Sequence, residues 1–504
     1  MNVSAFHGSL VRIPSEIGPY IPHLILLAVT GYILSSLYHA FLGPTSHIPG
    51  PFLARFTRLW ELLEVSQGHF ERTNVQLHKK YGPIVRIGPS KFSISDPAAV
   101  RALYAAGSKF PKSAFYFPFG DPHQANLFSE QSIQAHSQKR RRLAGAYSMS
   151  ALVTYEESVD MCNATLCRRL AEFAETQTPI NIPDWMQFYA FDVIGEITTS
   201  QSFGFMEQGW DFNTILQSIH ETMVYGSRVG VFPELHSWIA WFGRITRKKI
   251  PFDVVQTYVD SQIAVRKGKE ITGRQPDFLT KILALRRAGK ATDVDLSQVI
   301  GQNIGAGSDT TSISLSSVIY GLCKNPEAER KLVDELESFA AAGNLSDPVT
   351  FEQSRQMPYL QACIKEGLRI HPAVGRPLLR VVPSGGTTLA GQYYPAGVAV
   401  GVNAWVLHRD ESIFGPEPDK FLPERWLQDD AQKLARMEQN FLSFGAGSRT
   451  CIGKNISLLE MSKVIPQLYR KFEIRLADSG DMLTSEDWFV KQKFSCYIKL
   501  REST

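Results

Sequence analysis

A cysteine set among glycines and an arginine offers the first chemistry. In FGAGSRTCIG, residues 444–453, Cys451 follows Gly445, Gly447 and Arg449 and precedes Gly453. A free thiol titrates near about 8.5, so a thiolate at neutral pH needs positive charge, N–H donors or a metal beside it. The glycines permit a tight loop whose amides turn toward the sulphur. The segment from Ile452 onward reads as a helix, which puts Cys451 at a positive helix terminus. A thiolate is the expectation. A nucleophilic cysteine would want a histidine base, which the loop lacks; a ligand to haem iron needs only donors and a flat neighbour such as Phe444.

Two further groups carry chemistry. DVDLSQVIGQNIGAGSDTTSISLSSVIYGLCK (293–324) reads as a long helix with Gly305 and Gly307 in its middle, each costing about 1 kcal/mol relative to alanine. That cost is offset if the bare face around Ala306 and Gly307 lies against a flat ligand. Thr310 can turn its hydroxyl onto the Ala306 carbonyl and open the helix locally. Asp309 then adds a carboxylate beside the hydroxyl, the minimal pair for passing protons. A capping turn between two shorter helices accounts for the same residues equally well. In YLQACIKEGLRIHP, Glu366 and Arg369 stand at i,i+3 on a helix stopped by Pro372, a spacing shared with Glu327 and Arg330. The pair gains weight only if it is buried with a third partner, for which Arg425 in PERW (423–426) is the candidate.

The scaffold that must position these groups is legible in outline. Of 504 residues, 44% are hydrophobic and 20% charged, with no low-complexity tract or repeat, an ordinary globular balance. A net charge of +4, with no aromatic-interleaved basic patch, argues against a nucleic-acid partner. Six cysteines, at 162, 167, 323, 363, 451 and 496, form no CxxC pair; all but Cys451 read as small buried hydrophobes.

No Asp, Glu, Lys or Arg occurs from Ile17 to Ala54, and residues 21–42, at about 1.5 Å each, span roughly 33 Å, a bilayer's thickness. The near-neutral start and missing cleavage site favour an uncleaved anchor over a signal peptide, with a buried core helix as the alternative. Arg55 and Arg58 just beyond it place the bulk of the chain in the cytosol. The reading is therefore a short lumenal N-terminus (1–20), a transmembrane anchor (21–42), a Pro/Gly-rich elbow (43–51) and one catalytic domain (52–504). Helices are expected at about 131–175, 185–200, 211–225, 250–287, 293–324, 326–342, 352–370 and 452–470, with strand pairs at 82–96 and 387–405. The fold class is mainly α with small β-sheets.

Together the motifs resemble the cytochrome P450 family of haem-thiolate monooxygenases. Phe444, Gly447, Arg449, Cys451 and Gly453 meet its F-x-x-G-x-R-x-C-x-G pattern in full; AGSDTT (306–311) is similar to its oxygen-activating helix, and Glu366, Arg369 and Arg425 look like its charge triad. The resemblance implies haem b with Cys451 as axial iron ligand and Arg449 on a propionate. His136 and Arg140 resemble its aromatic-x-x-x-Arg propionate pair, although many members have Trp at the position of His136; Arg141 and Arg142 compete with Arg140. Arg380, with Arg376 as rival, resembles the arginine of the other propionate. Asp309 and Thr310 would relay protons.

The resemblance also implies NADPH-cytochrome P450 reductase as electron donor, cytochrome b5 as a second partner, and the endoplasmic reticulum membrane as location. By the same analogy the pocket is walled by the aromatic run 108–128, with Phe115 and Phe117, by Ile304 and Ala306, by Val374 and Phe489, and by 230–242 with Trp238 and Trp241, which suits a bulky apolar substrate. The LARFTRLW start and the GKNISLLEMSKVIPQLYRKFE tail resemble fungal members related to pisatin demethylase, which points to hydroxylation, epoxidation or O-demethylation in secondary metabolism. Two alternatives share these features: a redox-independent isomerase or dehydratase of the same fold, and a non-enzymatic haem-thiolate carrier or sensor.

Overall fold

The computed structural model describes residues 20–246, 252–267, 276–478, 483–485 and 488–502. Apart from Tyr20, the expected lumenal segment lies outside them, as does part of the helix expected over 250–287. Helix α1 (Ile21–Phe41) carries no acidic residue in its first turn, and Pro22–Phe41 is long and apolar enough to cross a membrane, with a mean hydropathy of 1.7 and only 7% of it covered by the rest of the protein. That exposure is the opposite of a core helix. Beyond it the elbow is pinned by Arg55, whose guanidinium donates to the carbonyls of Ala40 (3.0 Å), Ser46 (2.6 Å) and Ile48 (3.3 Å), satisfying carbonyls that prolines leave without helical partners.

Helices α2 (Leu59–Ser66) and α3 (Phe70–Tyr81) lead into the first strand pair. β1 (Ile84–Gly88) and β2 (Lys91–Ile94) form the expected hairpin, with Ile84 opposite Ile94. α4 (Pro97–Tyr104) follows, capped by Asp96, whose carboxylate accepts from the Ala98 amide. The expected helix 131–175 is two helices, α5 (Ile133–Leu143) and α6 (Glu156–Thr176); between them Ser148 caps a short turn and diverts the chain. Next come β3 (Ile180–Asn181), α7 (Ile182–Thr199), α8 (Ile215–Val229) and α9 (His236–Thr246).

The long central element is α10 (Asp293–Gln302), a π-helical turn at Asn303–Gly307, and α11 (Ser308–Lys324). α12 (Pro358–Ile370) begins at its own proline, so the helix expected over 352–370 is broken there. The later strands are β4 (Arg380–Val381), β5 (Thr387–Leu389), β6 (Gln392–Tyr394) and β7 (Ala399–Gly401). β7 joins β2 in parallel and β4 antiparallel, completing a four-stranded sheet. After α13 (Lys454–Lys471), β8 (Phe472–Leu476) pairs with the C-terminal β9 (Ser495–Leu500), which also holds β3. The main core joins α6, α7, α10, α11, α12 and α13, so the cysteine loop, the π turn and the triad all rest on one packed body.

Candidate active site

Cys451 ends the loop immediately before α13. The loop's turns use Gly445 (φ +66°) and Gly447 (φ +61°), both left-handed. Gly447 is also squeezed against α4: a Cβ there would stand 1.7 Å from the Tyr104 carbonyl oxygen. The Cys451 amide donates to the Phe444 carbonyl at 2.8 Å, which folds Phe444 back beside the sulphur. Cys451 is the one exposed cysteine of the six, although protein closely surrounds it. Burial pushes its thiol above the ordinary range, against the N–H groups of Gly453 and Lys454 and the charges of Arg140 and Lys454, which pull it down. These donors and charges lower the cost of the thiolate that a bound metal would demand.

Near the loop lies a group of basic side chains that act on one another. His136 is buried, and burial with Arg449, Lys112, Arg140 and Arg380 around it lowers its pKa to about 3, so it is a neutral imidazole. Arg449 donates to the carbonyls of Glu130 (2.7 Å) and Gln131 (3.1 Å), and burial next to Arg380 lowers it to about 10. Arg140 donates to the Thr450 carbonyl at 2.6 Å. Its two rivals are placed elsewhere: Arg142 pairs with Asp295 at 2.9 Å, and Arg141 is exposed. Arg376 is ion-paired with Glu61, whereas Arg380 is buried over the Tyr104 ring and donates to its neighbour's carbonyl, Leu379, at 3.0 Å. Glu130, the carboxylate acting on this ring, is itself paired with Lys139 at 2.9 Å. Cations gathered beside an exposed cysteine, Arg380 buried and Arg140 and Arg449 half-buried, with so little counter-charge call for an anion there, and the two propionates of haem fit that requirement.

On the opposite wall Thr310 donates to the Ala306 carbonyl at 2.7 Å, as its spacing predicted, and the helix opens into the π turn at that point. Ala306 is exposed. Gly307 serves a different end from the one expected: its bare face lies on α7, where a Cβ would stand 3.2 Å from Ile194. Ile304, expected in the pocket wall, is 1% exposed and belongs to the main core, because residues two apart on a helix stand on nearly opposite faces, and Ala306 is the exposed one. The Asp309 carboxylate is buried and turned toward α7 and the C-terminal strands; it accepts from Gln187 Nε2 at 2.5 Å and lies 3.3 Å from Lys491 Nζ. Asp309 and Thr310 therefore point in different directions.

The triad is buried. Arg369 donates to Glu366 through Nε (2.9 Å) and Nη2 (2.8 Å), and Arg425 Nε donates at 2.8 Å. Arg369 also reaches the carbonyls of His408, Pro418 and Lys420, tying α12 to the chain that precedes the cysteine loop. By contrast, Glu327 and Arg330, with identical spacing, are both more than half exposed.

Phe115, Tyr116, Phe119, Trp488 and Phe489 form one apolar cluster with Ile313, against which Phe128, Met223 and Val374 pack. Val374 bridges to Phe489 through the backbone. α8 closes directly on this wall, since a Cβ on Gly226 would stand 2.7 Å from the Phe119 ring. Phe117, expected among the wall residues, turns out of the cluster onto His236, ring centroids 5.0 Å apart. Trp238 and Trp241 are also corrected: at 69% and 54% exposed they line the outer face of α9.

Residues 49–500 match the family described as cytochrome P450. The chain is 40% identical over 488 residues to pisatin demethylase of Fusarium vanettenii, covering 95% of this chain and 93% of the relative. It is 37% identical over 468 residues to a cytochrome P450 monooxygenase of Aspergillus terreus (90% and 94% covered) and 33% identical over 494 residues to one of Emericella nidulans (95% and 98% covered).

Proposed function

This chain belongs to the cytochrome P450 family and is a monooxygenase, and from that premise we propose that it oxygenates a bulky, apolar, aromatic small molecule by hydroxylation or O-demethylation, in fungal secondary metabolism. The observation that carries the substrate class is an apolar cluster: five aromatic side chains packed with Ile313, with no Asp or Glu among its members. A relative named as a demethylase adds O-demethylation to the chemistries considered.

Cys451 would hold the haem iron, with Arg380, Arg449, His136 and Arg140 toward the propionates. Haem, when bound, supplies the reductive activation of dioxygen. Around it the protein's own groups do the rest. Asp309 collects protons on the side of Lys491, which is 26% exposed and links the carboxylate to solvent; rotation of its side chain carries them to the Thr310 side. Thr310 holds a hydroxyl where the opened helix leaves room for a water. The aromatic wall excludes bulk water and orients the substrate.

The family uses a redox partner; we take it to be membrane-bound NADPH-cytochrome P450 reductase, since no flavin or dinucleotide fingerprint occurs in this sequence. Membrane attachment is supported by α1 and by a second apolar surface on α9, where Trp238, Trp241, Phe242 and Ile245 are all more than half exposed. Arg58, at the start of α2, donates to the Val231 carbonyl at 3.1 Å and pairs with Glu234, joining this surface to the anchor side. The test is product analysis by mass spectrometry, with reductase, NADPH and heavy-oxygen gas, over pisatin and a panel of methoxylated aromatic compounds. One labelled oxygen in a hydroxylated product, or NADPH-dependent loss of a methyl group as formaldehyde, is expected. Conversion that needs neither NADPH nor oxygen would overturn the proposal.

A further inference from the structure

Tyr147 has no place in the motifs. It lies in the turn between α5 and α6, is 5% exposed, and has its two polar groups engaged in different directions. The hydroxyl donates to Asn303 Oδ1 at 2.6 Å, and the carbonyl accepts from Asn455 Nδ2 at 3.0 Å. Asn303 is the first residue of the π turn, whereas Asn455 stands in the first turn of α13, four residues after Cys451. Burial, then Cys451 and Tyr155, hold the phenol above its ordinary pKa, so it stays a donor. The other side of Asn303 is held by α7: its Nδ2 donates to Thr198 Oγ1 at 3.3 Å. One turn earlier on α7, Ile194 meets the other end of the π turn, 3.2 Å from where a Cβ on Gly307 would stand. Past the turn, Thr311 and Ser457 join α11 to α13 at 2.8 Å, so what Tyr147 adds is a hold on the turn's beginning.

A π turn carries one residue more than the helix around it, and each residue it slides past moves by one place, about 100° around the axis. The Thr310 hydroxyl bonds to Ala306 within the turn, so its direction depends on where the turn begins. With Thr310 in proton delivery, as proposed above, we infer that Tyr147 is a positioning residue of the reaction: its hydroxyl fixes the start of the π turn, and with it the direction of the Thr310 hydroxyl, against the helix that follows Cys451. The proton-delivering group and the sulphur are thereby set in register with each other through one side chain.

The test compares purified holoproteins of wild type, Tyr147→Phe, Asn303→Leu, the double variant and Thr310→Ala. Each is assayed with reductase, NADPH and the methoxylated aromatic compound that wild type turns over fastest. Tyr147→Phe should raise hydrogen peroxide released per NADPH consumed several-fold with KM unchanged. The double variant should match Asn303→Leu, as expected where both substitutions remove one contact. Tyr155→Phe is the control: its hydroxyl donates to the Pro276 carbonyl at 3.2 Å, its ring packs on the same Phe278 as Tyr147, and its ratio should stay at wild type. A second readout needs no turnover. Hydrogen exchange in the resting holoprotein, followed by mass spectrometry, should be several-fold faster in Tyr147→Phe over peptides covering 303–310 and unchanged over α12. A wild-type peroxide ratio in Tyr147→Phe beside a raised one in Thr310→Ala overturns the inference, as does a rise that Tyr155→Phe matches, a double variant that adds the two effects, or unchanged exchange over 303–310. If Thr310→Ala itself keeps the wild-type ratio while exchange over 303–310 quickens in Tyr147→Phe, the proton-delivery reading fails and the anchoring of the turn stands.

Discussion

Glu366→Gln keeps the shape of a side chain while removing the one negative charge that faces two buried guanidinium groups. In the native structure Oε1 accepts from Arg369 Nη2, Arg425 Nε and the Leu422 amide, and Oε2 from Arg369 Nε and Trp426 Nε1. Every one of these partners is a donor. A glutamine amide must place its –NH2 at one of the two oxygen positions, and the less costly choice, the Oε2 side, still sets it against Arg369 and the Trp426 indole. Two lost bonds to a charged group, at about 1.5–3 kcal/mol each, begin near 3 kcal/mol, which agrees with the roughly 3–5 kcal/mol for removing one partner of a buried ion pair. Against a whole-protein stability of about 5–15 kcal/mol, this is a large fraction. Urea denaturation of the holoprotein, followed by circular dichroism and by the haem band together, should show a lower midpoint with an unchanged slope and a falling yield of haem-loaded protein. Glu327→Gln, in the exposed pair of the same spacing, is the control and should not move the midpoint. A Glu366→Gln midpoint indistinguishable from wild type would refute the claim that burial gives the triad its weight.

Gly447→Ala should yield no haem-loaded protein, because its Cβ would stand 1.7 Å from the Tyr104 carbonyl oxygen at a left-handed backbone position; normal haem content per mole of protein would count against the account of the loop. Thr310→Ala should raise hydrogen peroxide released per NADPH consumed several-fold while Thr310→Ser stays near wild type, and an unchanged ratio would remove the hydroxyl from proton delivery. His371 is buried with its pKa lowered from 6.5 to about 4, chiefly by burial, and hydrogen-bonds through Nε2 to the Val490 carbonyl at 2.7 Å. The unfolded chain therefore binds the extra proton first: stability is full above about 6.5 and is lost as pH falls toward about 4, a drop of roughly 3 kcal/mol from this group. His371→Gln should flatten urea midpoints across that window, and a slope identical to wild type would contradict the assignment. Glu71, raised to about 7 mainly by burial, acts in the other direction, its contribution fading as pH rises through 7; Glu71→Gln should steady the midpoints there, and an unaltered decline would count against it.

What the sequence revealed and what it concealed divide along a physical line. The cysteine loop was readable because its constraints are local: glycines where the backbone is left-handed, a helix start, a cysteine between them. Thr310 on the Ala306 carbonyl is likewise a contact within one turn. The triad was readable only as a spacing, since Glu327–Arg330 has the same one; what separates them is burial, which depends on chain segments about fifty residues away. What sets Arg376 apart from Arg380 is its pairing with Glu61, more than three hundred residues distant in sequence. The N–H donors around Cys451 were foreseen from the loop, whereas the burial that opposes them is a property of the whole fold. Trp238 and Trp241 were placed in the pocket wall by analogy with the family, yet α9 presents them outward, and only the packing of its other face against the body decides that.

The central claim is that Cys451 is the iron ligand, and the reduced carbon monoxide spectrum tests it most directly. Wild-type protein, expressed with ample haem, should show the red-shifted Soret band of thiolate-bound haem; Cys451→Ser should lose that band, and Cys323→Ser, which alters a cysteine remote from the loop, should keep it. Persistence of the band in Cys451→Ser, or a wild-type protein that stays colourless, would contradict the account.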